Sequence, residues 1–139
     1  MKTISKINLG HSSIFLREDG IIEIDCADNF EYDVLEIKQN LSCIKTIAGN
    51  NKVLILNNAK AHTTITKEVR AFLSTGPHID FVKAEAFIIH NMGQWILANF
   101  FLKINKPIVP AAFFKNKEDA EVWLKSFKNE LNVVKNNCG

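Results

Sequence analysis

The stretch "AKAHTTITKEV", residues 59–69, places three hydroxyl side chains, Thr63, Thr64 and Thr66, just ahead of an apolar-periodic run. Hydroxyls there can serve in two ways. A threonine before the first helical turn caps a free backbone N–H, a role worth about 1 kcal/mol. A phosphoryl group would also be stabilised there, because N–H groups and the helix dipole point at it. Thr66 fits the cap, with Glu68 in the first turn behind it. Thr63, Thr64 and Thr66 are together the candidate phosphoacceptors.

Other reactive side chains are scattered. His11, His62, His78 and His90 form no H-x-x-x-H pair of the kind that holds a metal on one helical face. His62 and His78 flank one helical region and could approach one another, but exposed loop histidines are the simpler expectation. Asp25 and Asp28 sit near a strand end, and a paired acid/base role would require burial. There is no G-x-S-x-G elbow, G-x-G-x-x-G turn or P-loop. The three cysteines, Cys26, Cys43 and Cys138, are odd in number and lack C-x-x-C spacing, which argues against a disulfide framework or zinc site. Cys26 and Cys43 read as small buried hydrophobes and Cys138 as a tail thiol. No catalytic residue, cofactor or metal is expected.

The elements that would carry these residues alternate. "SSIFLRED" and "GIIEIDC" read as a β-hairpin turning at Asp19-Gly20, with Ile22 and Ile24 on one face and Ile21, Glu23 and Asp25 on the other. The preceding "MKTISKINLG" reads as an edge strand or a loose arm. In "FEYDVLEIKQNLSCIKTIAGN", Val34, Ile37, Leu41, Ile44 and Ala48 recur at helical spacing, and Gly49 follows as a C-cap. "KVLILNN", "AEAFIIH" and "PIVPAAFF" are apolar runs of the kind found in strands covered on both faces. "AKAHTT" reads as a loop. Helices are expected at "KEVRAFLS", across 90–107, and at "NKEDAEVWLKSFKNEL" behind an Asn116 cap. The pattern predicts one α/β domain over 1–139, its core about 12–128, with 129–139 a frayed tail. Its mixed sheet would carry an N-terminal hairpin, alternating strands and four main helices.

Composition narrows the function classes. With 47% hydrophobic and 23% charged residues and a net charge of +2, the chain has the balance of a globular domain and no basic stripe for nucleic acid. No segment reaches the ~20 apolar residues that span a bilayer, and the first ten residues lack a signal peptide's apolar core. A cytoplasmic protein is the expectation.

The block "FFLKINKPIVPAAFFKNKEDAEVWLKSF" is similar to the C-terminal half of small bacterial STAS-like proteins, single domains with the fold of the SpoIIAA-type anti-sigma factor antagonists. The elements that carry this likeness are Asn99 to Pro107, Val109 to Phe114, Glu118 to Asp119 and Trp123 to Leu124. With "LREDGIIEID" and "KVLILNNAK" upstream, the resemblance spans roughly residues 12 to 128. It implies a non-enzymatic regulatory or binding domain. Some relatives are linked by name to lipid-binding CRAL-TRIO domains. True antagonists open the corresponding helix with an Asp-Ser-Ser/Thr-Gly loop whose serine is phosphorylated; here that place has no Asp, Ser or Gly, only the three threonines.

One helix is apolar on two sides. At 100° per residue, Gly93, Ile96, Leu97, Phe100, Phe101 and Ile104 form a broad face expected to pack on the sheet. Trp95, Ala98 and Leu102 form a second, narrow stripe bordered by Gln94 and Asn99. A large apolar side chain left in water forgoes about 1.5–3 kcal/mol, so such a stripe calls for a partner. A second copy of the chain, giving a homodimer, or a protein partner leads; a neighbouring segment of the same chain is nearly as good. The alternative is a carrier or sensor of a small apolar ligand or lipid, with Gln94 and Asn99 as its polar groups.

Overall fold

The computed structural model describes the backbone of residues 2–138 and the side chains of residues 2–128. Its main sheet has six strands in the order β1 (Thr3–Asn8), β2 (Ser12–Arg17), β3 (Ile22–Cys26), β5 (Val53–Asn58), β7 (Val82–Ile88) and β8 (Ala111–Phe114). The first three strands pair antiparallel, and β3, β5, β7 and β8 run parallel. The expected hairpin is present, with Ile24 opposite Ile14 and its turn closed by Gly20 at φ 85°, a conformation glycine adopts without strain. The N-terminal arm is an edge strand, exposed along its whole length.

Parallel neighbours require crossovers. These are α1 (Val34–Ala48), α2 (Lys67–Ser74) and α3 (Met92–Phe100), followed by one turn of π-helix over Phe101–Asn105. All three helices cover one face of the sheet. Ile44 and Ala48 of α1 pack on Ile14, Ile22, Ile24 and Ile55, while Val69 and Leu73 of α2 pack with Phe101 against Phe113. The other face belongs to α4 (Lys117–Cys138), whose Ala120 and Leu124 meet Ile21, Leu54, Leu56, Ala84 and Ala86. Strand alternation produces this split: Ile22 and Ile24 go to the α1 side and Ile21 to the α4 side.

Capping chemistry fixes the helix ends. Asp33 accepts from Val34 N at 2.8 Å, Thr66 Oγ1 from Val69 N at 3.2 Å, and Asn91 Oδ1 from Gln94 N at 3.0 Å. Asn116 and Asp119 bond reciprocally at the start of α4. The backbone of α4 runs on through the stretch expected to fray, and the Cys138 side chain lies outside the described residues.

Two short strands depart from the sequence reading. β4 (Phe30–Tyr32) and β6 (Thr63–Ile65) pair in parallel as a separate two-stranded ladder. The first was expected in the opening turn of a helix, with Glu31 and Asp33 as its acidic residues, and the second as part of a loop; the helix instead starts at Val34, with Asp33 as its cap. Three residues are too few to show a period, and it is the non-local pairing that makes them strands.

Arg17, only 3% exposed, ties the hairpin to α4. Its guanidinium lies 2.8 Å from both Asp19 and Glu121 and 3.3 Å from Glu23, whose other oxygen meets Lys117 at 3.0 Å. This is a structural clasp on the α4 side of the sheet.

Candidate functional site: an apolar cavity under α3

Between the sheet and the layer of α1, α2 and α3 lies a cavity of about 140 Å³. Its walls are mostly aliphatic and aromatic, with Ile24 and Ile55 from the sheet, Leu41 and Ile44 from α1, and Leu97 and Phe101 from the α3 segment. The exposed Thr64 also lines it, which gives the cavity a mouth beside β6. A cavity near this size lined by Leu, Ile and Phe has room for a single aromatic ring.

α3 reaches this cavity with a different face from the one its periodicity predicts. Gln94, Leu97, Ala98 and Phe101, at offsets of three, four and seven, point inward and line it. Of the six residues expected against the sheet, Leu97 and Phe101 point inward. Ile96, Phe100 and Ile104 are instead 54%, 53% and 69% exposed. Two local causes set this rotation. The Gln94 amide donates to the carbonyls of Lys60 at 2.8 Å and Thr63 at 3.1 Å, pulling its side of the helix down onto the loop before α2. The π turn, closed by Lys106 N to Phe101 O at 2.9 Å, then widens the helix past Phe101.

The second stripe is therefore divided. Ala98 is buried inside the cavity wall, Trp95 is half-buried outside the cavity, and Leu102 is 38% exposed. The surface these residues were expected to share is occupied by Met92, Ile96, Phe100 and Ile104 at four-residue spacing. Gln94 lines the cavity, but backbone partners engage its amide on both sides, since its Oε1 also accepts from His90 N. Asn99 is exposed and outside the lining.

Three polar groups of the wall matter more. Tyr32, 2% exposed, has its hydroxyl 3.1 Å from Ser12 Oγ and 3.0 Å from Ala27 N, and bonds the His11 carbonyl; burial raises its pKa. Glu85 projects from the middle of β7 and is 4% exposed; its Oε1 lies 3.1 Å from Nε2 of His78, which is fully buried. Asn40 of α1 is 5% exposed, and its Oδ1 has no hydrogen-bond partner. Burial of a carbonyl without a partner costs free energy, so Asn40 is held in this wall at a cost. Nothing in the sequence pattern marks Asn40 or brings Glu85 to His78, which was expected in an exposed loop. The one available signal was a lone carboxylate inside the apolar run "AEAFII".

The remaining candidates are accounted for locally. Thr63 is buried, its Oγ1 donating to Ala27 O and accepting from Lys60 N. Thr66 also donates to Asp33 Oδ1 at 3.2 Å, beside its capping bond. Thr64 is the exposed hydroxyl of the three. Asp25 pairs with Lys60, whereas Asp28 accepts from His62 N and lies 3.5 Å from the His62 ring, so the two carboxylates work apart. His62 and His78 likewise bond different partners. Cys26 lines the cavity, and burial pushes its thiol up to about 11. Among the described residues no group of three His, Cys, Asp or Glu side chains could hold a metal, and no helix is long and apolar enough to cross a membrane.

Comparison with known proteins agrees with this architecture. Residues 14–128 match the model of a domain of unknown function, DUF7793, and the chain belongs to that family. Its fold is similar to that of an uncharacterized protein of the DUF3478 family from Shewanella loihica PV-4, described as having a SpoIIAA-like fold. The two share 19% identity at a TM-score of 0.54, over 89% of this chain and 98% of that one. The chain has the SpoIIAA-like fold expected from its sequence. No curated protein matches it.

Proposed function

We propose that this chain is a non-enzymatic regulatory module whose input is a small, largely apolar ligand held between the sheet and α3. The observation that carries the reading is the cavity itself. An interior of this kind is normally packed to crystal density, and a void of about 140 Å³ removes dispersion contacts from every residue around it. A fold that keeps such a void under a helix, with a mouth beside it, has the form of a binding site.

The position of α3 favours a way of reading occupancy. Its inner face lines the cavity, and its outer face carries the exposed Met92, Ile96, Phe100 and Ile104. A ligand that shifts or stiffens α3 therefore acts on a surface suited to a protein partner or a second copy of the chain. This exposed face is the observation that favours self-association as a second reading.

The test uses toluene, a ring that suits the volume. Titration calorimetry should detect saturable binding to the wild-type protein and none to Ala98→Leu, which fills the wall. Absence of binding to the wild type would overturn the ligand reading. Light scattering tests the second reading, and a wild-type protein that stays monomeric at every accessible concentration would exclude it.

A further inference from the structure

We infer that α3 is a hinged strap over the cavity: side chains at its start latch it to residues 59–63, the π turn at its end is the hinge, and release of the latch opens the cavity. What the strap admits rests on the cavity being a ligand site. The motion itself rests on packing and hydrogen bonding alone.

Little core holds α3 down. Ala98 is the one buried residue among its nine, whereas α2 buries Val69 and Leu73 out of eight. The space that core side chains would fill beneath Leu97 and Ala98 is the cavity. The start of the helix is tied instead to backbone carbonyls of the loop after β5. His90 Nε2 donates to Ala59 O at 2.6 Å, Asn91 Nδ2 to Ala61 O at 2.8 Å, and Gln94 Nε2 to the Lys60 and Thr63 carbonyls. Ala59, Thr63 and Gln94 line the cavity beside Thr64, so this latch is the rim of the mouth. His90 and Asn91 are exposed, and water can take over their bonds, so release costs far less than breaking core contacts.

The far end is built differently. Phe101, 3% exposed, packs with Val69 and Leu73 and meets the Phe113 ring edge-on, which anchors the chain where the π turn begins. The turn ends at Lys106, held at φ 54°, one of two non-glycine residues with positive φ among the described residues. Such irregular backbone, at the end of a helix bordering a cavity, is where a change of chain direction is absorbed. Release at the start and anchorage at the end swing α3 away from the mouth. A nine-residue helix off its support is marginal in water, so each opening also loosens its own hydrogen bonds.

Hydrogen exchange of the full chain, read by mass spectrometry, tests this. In the wild-type protein the amides of 95–100 should exchange roughly ten-fold or more faster than those of α1. Gln94→Ala should speed exchange in α3 by about a further ten-fold, through loss of the two loop bonds, and leave α1 and β7 unchanged. Asn91→Asp separates latch from helix stability. It keeps the capping oxygen and suits the helix dipole, but it removes the donor to Ala61. Exchange in α3 should rise here too, and slower or unchanged exchange would overturn the latch. Saturating toluene should slow exchange in α3.

Wild-type α3 exchanging in step with α1 would overturn the strap, as would acceleration by Gln94→Ala spread equally over every element. Toluene that binds by calorimetry yet leaves α3 exchange unchanged would overturn the strap's role as a gate. If toluene does not bind, the ligand reading fails, and the exchange of the unliganded proteins still decides the motion.

Discussion

His78 Nε2 lies 3.1 Å from Glu85 Oε1, with the histidine fully buried and the glutamate 4% exposed. The pair joins the loop after α2 to the centre of β7, where Glu85 lines the cavity. Its cost and its value are linked. Taking both groups from water is expensive, and the mutual bond offsets that expense only while both partners are present.

Removing one partner should therefore be more damaging than removing both. Glu85→Ala is expected to lower the unfolding free energy by about 3–5 kcal/mol, because it strands His78 in an apolar interior. The double replacement of His78 and Glu85 by leucine should cost less than that single change. Urea denaturation of the three proteins measures this, and a loss below about 1 kcal/mol for Glu85→Ala would show that the pair carries little of the fold.

The threonine ahead of α2 offers a smaller and cleaner test. Thr66 Oγ1 accepts from Val69 N at 3.2 Å, so Thr66→Ala should destabilise by about 1 kcal/mol and Thr66→Ser by much less. Thermal melts distinguish the two. If Thr66 served instead as a phosphoacceptor without capping, Ala and Ser variants of the unmodified protein would melt alike.

The outer face of α3 makes a prediction about association rather than folding. Ile96 and Phe100 are 54% and 53% exposed, so Ile96→Lys and Phe100→Ser should change stability by no more than about 0.5 kcal/mol. Any self-association through this face should weaken in both variants, as sedimentation or light scattering would register. A stability loss above about 2 kcal/mol in either would mean that the side chain is covered by its own chain after all.

The layered architecture was legible because periodicity records burial directly. Val34, Ile37, Leu41 and Ile44 could belong only to a helix with one covered side, and Ile22 and Ile24 only to a strand with Ile21 facing the other way. α3 was harder because it is apolar nearly all round. Periodicity there offers two faces and no means of choosing between them. The choice fell to the Gln94 amide and its contacts with Lys60 and Thr63, some thirty residues away, and to a π turn that local propensity does not encode. The His78–Glu85 pair was hidden for a related reason. A histidine beside Gly76 and Pro77 looks like a loop residue, and only the fold brings it against Glu85 of β7.

Cys26 yields a pH dependence whose sign follows from its place in the cavity wall. Burial disfavours the thiolate and pushes the thiol from an ordinary 9.0 up to about 11, outweighing the Tyr32 hydrogen bond and the nearby Lys60 charge, which act the other way. The folded state then holds its proton more tightly than the unfolded chain does. This contribution to stability is complete below pH 9 and is lost as pH rises through the interval to about 11. Alkylation by iodoacetamide should accordingly be slow at Cys26 at pH 8 and accelerate only toward pH 11, because the thiolate is the reactive form. Replacing Cys26 by alanine should flatten the fall in melting temperature over the same interval. Bound toluene should slow the alkylation further, since the thiol lines the space the ring would fill. Fast labelling of Cys26 at pH 8, unaffected by the ring, would place the sulfur in contact with solvent and remove it from the cavity wall.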